Sequence, residues 1–202
     1  MLSEFHNKFL EKNAKLNLIS RNDEKFLWEK HIHDSLAIKY FLACHSEPVP
    51  AIGGAGEESL CLLDIGTGGG FPAIPIAIEY PEIEVYALDS IRKKINAIEE
   101  LKAELDLPNL HTICERAENL TKKFDIITSR AVAPLKTLVT YAMPLLKKGG
   151  CLIAWKSRKI QTEIDDAMPV LKKFSAKVVD IIGYKLTLEE NHTRNLVIIT
   201  NC

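Results

Sequence analysis

The sequence predicts an α/β fold: a mostly parallel sheet with helices on both faces, ending in a terminal antiparallel strand and preceded by a helical segment. Three observations predict it. From residue 60 onwards short apolar runs alternate with longer amphipathic stretches, the pattern of strand–helix–strand units. A glycine-rich turn follows the first of those runs, where sheets of this kind bind ligands. The first 44 residues instead repeat apolar side chains at three- and four-residue steps, the period of an amphipathic helix.

Taken in order, Phe5, Phe9, Leu10, Leu16, Phe26, Leu27, His31 and Leu36 carry the helical period from Ser3 to about Cys44. The piece HSEPVPAIGGAGEE, His45 to Glu58, has Pro and Gly without periodicity and reads as a linker. Two units follow: a helical segment over 1–45 and a ligand-binding domain over 46–202. Within the second, strands are expected at Leu60–Ile65, Ile83–Leu88, Leu110–Cys114, Phe124–Thr128 and Cys151–Trp155, with crossover helices at Ile91–Leu105, Leu135–Leu146 and Lys159–Phe174. Ala176–Leu186 and Asn195–Thr200 flank the polar turn TLEENHTR and read as an antiparallel pair.

Composition excludes several classes. The five cysteines, at 44, 61, 114, 151 and 202, form no CxxC pair, and no histidines cluster beside them, so neither a zinc site nor a disulfide framework is expected. A reduced, cytoplasmic setting and a monomer are the expectation. The opening MLSEFHNKFLEKN is charged where a signal peptide is apolar, and no run of about eighteen apolar residues follows. No membrane partner is expected. A formal net charge of −1 confines any contact with nucleic acid to local patches.

The most informative stretch is CLLDIGTGGGFPAIPIAI, Cys61 to Ile78. Gly66, Gly68 and Gly70 lie just past a predicted strand, where absence of a Cβ admits positive φ and close approach of a ligand. Pro72 suits the first turn of a helix expected to start near Phe71. A phosphate-binding loop needs GK[ST] after the glycines, and none follows. A dinucleotide site needs GxGxxG or GxGxxA, which the string matches only when counted from Gly68 to Ala73. S-adenosylmethionine is cationic at its sulfur and its ammonium, so Asp64 at the strand end favours it on Coulombic grounds. Asp89, about 20 residues on, is placed to accept the hydroxyls of an adenosine ribose, or else to cap the helix that starts near Ile91. Ala117 and Glu118 in ERAENL could meet the adenine edge.

With Asp64, the glycines, Asp89 and Glu118 in register, the chain resembles a class I, Rossmann-like methyltransferase. More closely it is similar to the ribosomal RNA small subunit methyltransferase G family, also called glucose-inhibited division protein B. The resemblance rests on DIGTGGGFPAIPIAI, LDS before a Lys pair, ERAE, SRA at Ser129–Ala131, NLIS, and HIHDSL at His31–Leu36. It spans essentially the whole chain. It implies S-adenosylmethionine as cofactor, contacts to it from Gly66, Phe71, Ala117, Glu118 and Arg130, and methyl transfer to N7 of a guanine in 16S ribosomal RNA. Two positions depart from the family pattern: Ala73 stands where a further glycine is usual, and Ala14 where an aromatic residue is.

The chemistry of the chain is consistent with that target. Methylases of exocyclic amines carry an Asn/Asp-Pro-Pro-aromatic loop after the fourth strand, and this chain has SRAVAPL there. No cysteine stands in that position to attack a pyrimidine ring. Guanine N7 is a free lone pair that needs no base. Arg130, at the end of the fourth strand, is expected to bind the methionine carboxylate or the RNA. His31 and Asp34, three apart on a helix, could line the substrate side. Lys156, Arg158 and Lys159 follow the fifth strand and suit RNA phosphates, whereas Lys147 and Lys148 read as a solvated helix end. Arg92, Lys93 and Lys94 start a helix, an unfavourable place for positive charge that hints at an anionic partner. The alternatives are a nucleotide-dependent oxidoreductase and a non-catalytic RNA-binding or regulatory domain that retains the fold.

Overall fold

The computed structural model describes residues 1–44, 59–157, 160–186 and 193–201. The expected linker His45–Glu58, most of the turn TLEENHTR, and both Arg158 and Lys159 lie outside them. The strands are β1 (Cys61–Ile65), β2 (Glu84–Leu88), β3 (Leu110–Ile113), β4 (Phe124–Arg130), β5 (Leu146–Lys156), β6 (Ala176–Lys185) and β7 (Thr193–Asn201). They form one sheet in the order β3-β2-β1-β4-β5-β7-β6. The first five run parallel, and β7 lies antiparallel between β5 and β6. β1 and β4 are buried almost throughout because helices cover both their faces.

The order reverses at β1, since its chain neighbour β2 lies on one side and β4 on the other. A crevice forms at the carboxyl ends of these strands. Helix α4 (Ala73–Glu79) and α5 (Arg92–Glu104) follow β1 and β2; α6 (Leu135–Ala142) and α7 (Ile160–Lys173) flank β5 in sequence. The helical segment ahead of the sheet is broken into α1 (Leu2–Leu16), α2 (Arg21–Glu24), a π-helical stretch (Leu27–His33) and α3 (Ile38–Cys44). Ser20 caps α2 by accepting the N–H of Asp23. Fully buried Phe5 and Phe9 pack their rings against Phe71, with centroids 5.6 and 5.0 Å away. Loss of either ring from such a core costs about 3–5 kcal/mol. The segment therefore shares one hydrophobic core with one face of the sheet and sits directly on the glycine turn.

Three boundaries differ from expectation. The helix after the glycine turn begins at Ala73, with Pro72 at its N-cap, because the chain is still turning through Gly70 at φ 93°. The helix expected to reach Leu146 ends at Ala142 and passes through a 3₁₀ turn (Met143–Leu145) into β5. Lys147 and Lys148 thus open a strand, where Lys147 pairs with Asp125 at 3.0 Å. The third is β4, which continues to Arg130 in register with Trp155 of β5. That extension carries the arginine to the crevice.

Candidate active site

The turn after β1 is built from backbone. Gly66, Gly68 and Gly70 have φ of 71°, 60° and 93°, values that cost an L-residue about 1–2 kcal/mol. The N–H groups of Gly66 and Thr67 both donate to the carbonyl of Leu88, at 2.8 and 2.9 Å, tying the turn to the end of β2. A Cβ on Gly66 would stand 2.4 Å from Val132 Cγ2. Asp89 clamps the same turn: Oδ2 accepts the Gly68 N–H at 3.1 Å and Oδ1 the Ile91 N–H at 2.9 Å. Lys94 lies 3.5 Å from Oδ2, so its charge at the start of α5 has a partner within the chain.

Two cavities meet above this turn. The first, about 360 Å³, is lined by Gly66, Asp89, Ser90, Ala117, Glu118, Val132 and Tyr141. The second, about 430 Å³, lies under the N-terminal segment and is lined by His31, Asp34, Gly66, Gly68, Phe71, Arg130 and Arg194. Gly66, Lys94 and Ala131 belong to both. Ala131 has φ 57°, a left-handed backbone in a residue that is not glycine, held at the junction.

The wall of the second cavity is a polar network centred on Arg130. Its Nη1 donates to the Lys30 carbonyl at 2.9 Å and to Asp34 Oδ2 at 3.0 Å. Its Nη2 lies 2.9 Å from His31 Nδ1. A guanidinium can only donate, so Nδ1 accepts and the histidine proton sits on Nε2. Burial, helped by the Arg130 charge, lowers the His31 pKa to about 4. The ring is therefore neutral at physiological pH. Asp34 is buried, and its Oδ1 accepts the Tyr184 hydroxyl while its carbonyl accepts Trp155 Nε1–H at 2.8 Å. Burial and the Asp34 carboxylate push the Tyr184 hydroxyl well above the ordinary phenol range. Asp34 thus joins the N-terminal segment to β4, β5 and β6 at once.

The family model for rRNA small subunit methyltransferase G matches residues 1–197. The chain belongs to that family. A ribosomal RNA small subunit methyltransferase G of Listeria welshimeri is 33% identical over 98% of this chain and 82% of its own length. One of Desulfitobacterium hafniense is 36% identical, covering 94% and 76%. Among solved structures, magnesium protoporphyrin IX methyltransferase from Synechocystis, with bound S-adenosylmethionine, superposes with a TM-score of 0.64 at 15% identity, over 91% of this chain and 86% of that one. That likeness extends the methyltransferase fold across the sheet. Family membership makes this chain an S-adenosylmethionine-dependent methyltransferase and removes the oxidoreductase reading.

Set against the residues expected for a methyltransferase G, the structure gathers Gly66, Asp89, Ala117 and Glu118 around one cavity and His31, Asp34, Gly68, Phe71 and Arg130 around the other. It corrects three assignments. Asp64 has no exposed surface; Oδ1 accepts the Thr128 hydroxyl at 3.0 Å, among the described residues Oδ2 and Thr67 Oγ1 meet no partner in hydrogen-bond geometry, and burial raises the carboxyl to about 7. It lies beneath the turn and does not reach the ligand space, because it sits within β1 and the turn folds over it. Gly70 also lies behind the turn, where a Cβ would stand 2.5 Å from Ile74 Cδ1. Lys156 is turned inwards, its Nζ donating to the Ala133 carbonyl at 2.8 Å and to Glu163 Oε2 at 2.7 Å, so its charge is already matched.

Tyr184, Trp155, Arg194 and Glu163 were not foreseen. They come from β6, β5, β7 and α7, and no spacing in the sequence links them to residue 34 or 130. Among the described residues no helix is long and apolar enough to cross a membrane, and no group of His, Cys, Asp and Glu could hold a metal ion.

Proposed function

We propose that this chain transfers the methyl group of S-adenosylmethionine to N7 of a guanine in small-subunit ribosomal RNA. The observation that carries the reading is the junction of the two cavities across Gly66, Lys94 and Ala131. One side offers an acid and a bare backbone, as an adenosine needs; the other is walled by a fixed guanidinium. S-adenosylmethionine fits this cradle, where a Cβ at Gly66 would crowd Val132, and it brings a methyl group on a cationic sulfur. Asp89 Oδ1, which accepts only the Ile91 N–H among the described residues, keeps a lone pair for a ribose hydroxyl. Ala117 and Glu118 border the space for the adenine.

The remaining residues have positioning roles. Guanine N7 carries an in-plane lone pair free at neutral pH, so alignment is the main demand on the protein. His31, neutral with Nδ1 occupied by Arg130, serves to orient that arginine. Asp34 holds the same guanidinium from the other side. Arg130 then presents its remaining N–H groups to an anion of the cofactor or the RNA. The N-terminal segment lines one side of the second cavity.

Calorimetry tests the first half: S-adenosylhomocysteine should bind and NAD should not, and tight NAD binding without the other would overturn the reading. The atom attacked is tested with RNA in which 7-deazaguanine replaces the target. It should accept no methyl group, while product from normal RNA becomes cleavable by borohydride and aniline at one guanosine. Methylation of the deaza substrate would show that another atom is the target.

A further inference from the structure

A third cavity, about 230 Å³, opens beyond the ends of β4 and β5 and is lined by Asp34, Arg130, Trp155, Lys156, Glu163 and Arg194, among others. It shares Asp34, Arg130, Ala131 and Arg194 with the second cavity. Glu163, from the first turn of α7, is the unusual member. Both hydrogen bonds that the chain gives it fall on one oxygen: Oε2 accepts the Leu135 N–H at 3.0 Å and Lys156 Nζ at 2.7 Å. Among the described residues Oε1 receives none. The carboxylate is thus pinned by one oxygen to the start of α6 and to β5, with the other left as an acceptor, and its side chain keeps 32% of its surface exposed.

We infer that this cavity seats the target guanine and that Glu163 Oε1 reads its Watson–Crick edge; the inference rests on the guanine N7 reading above. Guanine is polar in a particular sense. Its N1–H and exocyclic amine donate along one edge, while O6 and N7 accept along the other. The cavity has a matching polarity, with a free carboxylate oxygen from Glu163 and cationic walls from Arg130 and Arg194 that suit O6 and leave the N7 lone pair to the methyl group. Adenine would turn an N1 acceptor towards the carboxylate and an amine towards the arginines, which is repulsive at both ends. Lys156, held between Ala133 and Glu163, balances the carboxylate charge and fixes its rotamer. Glu163 acts as a specificity residue: it selects the base and takes no part in methyl transfer. Entry requires the base to leave its stack, as for other enzymes that modify a base.

The test compares guanosine with inosine, which lacks only the 2-amino group, at the position found to be methylated in a small-subunit RNA transcript. Inosine keeps N7, so chemistry remains open to it. The unaltered chain should methylate the inosine RNA at least about 10-fold more slowly in kcat/KM, because Glu163 Oε1 then receives the N1–H alone and loses the exocyclic amine. Glu163→Gln keeps an oxygen for Lys156 and Leu135 but presents an amide N–H to the base, and it should bring the guanosine-to-inosine ratio to within about 2-fold. If that variant does not fold, Glu163→Asp withdraws the acceptor while retaining the charge and should narrow the ratio likewise. Equal slowing of both RNAs, with the ratio kept, would make Glu163 a strap between α6, α7 and β5 and overturn the inference. So would equal rates on both RNAs for the unaltered chain. If the unaltered chain leaves guanosine N7 unmodified, the underlying reading itself fails, a result distinct from either of these.

Discussion

Asp34→Asn should cost more than any other single isosteric change near the crevice. The side chain of Asp34 is 3% exposed and that of its partner Arg130 14%, so water cannot replace the lost charge. The amide also turns an N–H donor either towards Arg130 Nη1 or towards the Tyr184 hydroxyl, both of which donate now. Breaking a buried pair from one side costs about 3–5 kcal/mol, and at 2–4 °C per kcal/mol for a chain of this size the melting temperature should fall by about 6–20 °C. Urea unfolding gives the free energy directly. The Arg130→Met/Asp34→Asn double variant removes the stranded cation and should be more stable than the sum of the single changes by about 2 kcal/mol. A single variant within about 1 kcal/mol of the unaltered chain, or strict additivity in the double, would refute the idea that Asp34 is the node holding the N-terminal segment to the sheet.

Two buried groups give the pH dependence opposite slopes. The His31 pKa is lowered to about 4, so the unfolded chain binds its proton first, and stability is lost as pH falls from about 6.5 to 4; relative to His31→Asn, the unaltered chain should lose about 1.4 kcal/mol per pH unit there. The Asp64 carboxyl is raised to about 7, so the native state holds that proton longer, and stability is lost as pH rises from about 4 to 7. Asp64→Asn should gain on the unaltered chain by a similar slope over that range, as urea titrations at stepped pH will show; parallel curves would mean the group titrates normally. Gly66→Ala should cost about 1–2 kcal/mol through its positive φ and abolish binding of S-adenosylhomocysteine by forcing Val132 into the shared wall, whereas Gly68→Ala, whose Cβ meets nothing nearer than 3.9 Å, should carry the strain alone. Equal affinity for both variants would place the cofactor elsewhere.

Much of the fold is legible in the sequence. The alternation of apolar runs and amphipathic stretches marks seven strands because strand and helix periods differ and each must bury one face or two. The glycine turn, Asp89 and the ERAE segment were legible for a similar reason: they are local, and each sits at a fixed offset from a strand end. What the sequence could not specify depends on which strands become neighbours. Asp64 satisfies the pattern of a ligand-facing acid, yet only packing of the turn over β1 puts it at 0% exposure. Lys156 reads as a free cation until α7 folds back and sets Glu163 2.7 Å away. Tyr184 meets Asp34 across 150 residues of chain, a contact that requires β7 to insert between β5 and β6. The sequence by itself determined the sheet, the glycine turn and the family; the tertiary structure decided which charges are spent on holding the chain together and which line the crevice, because desolvation and partner distance are properties of packing that no spacing encodes.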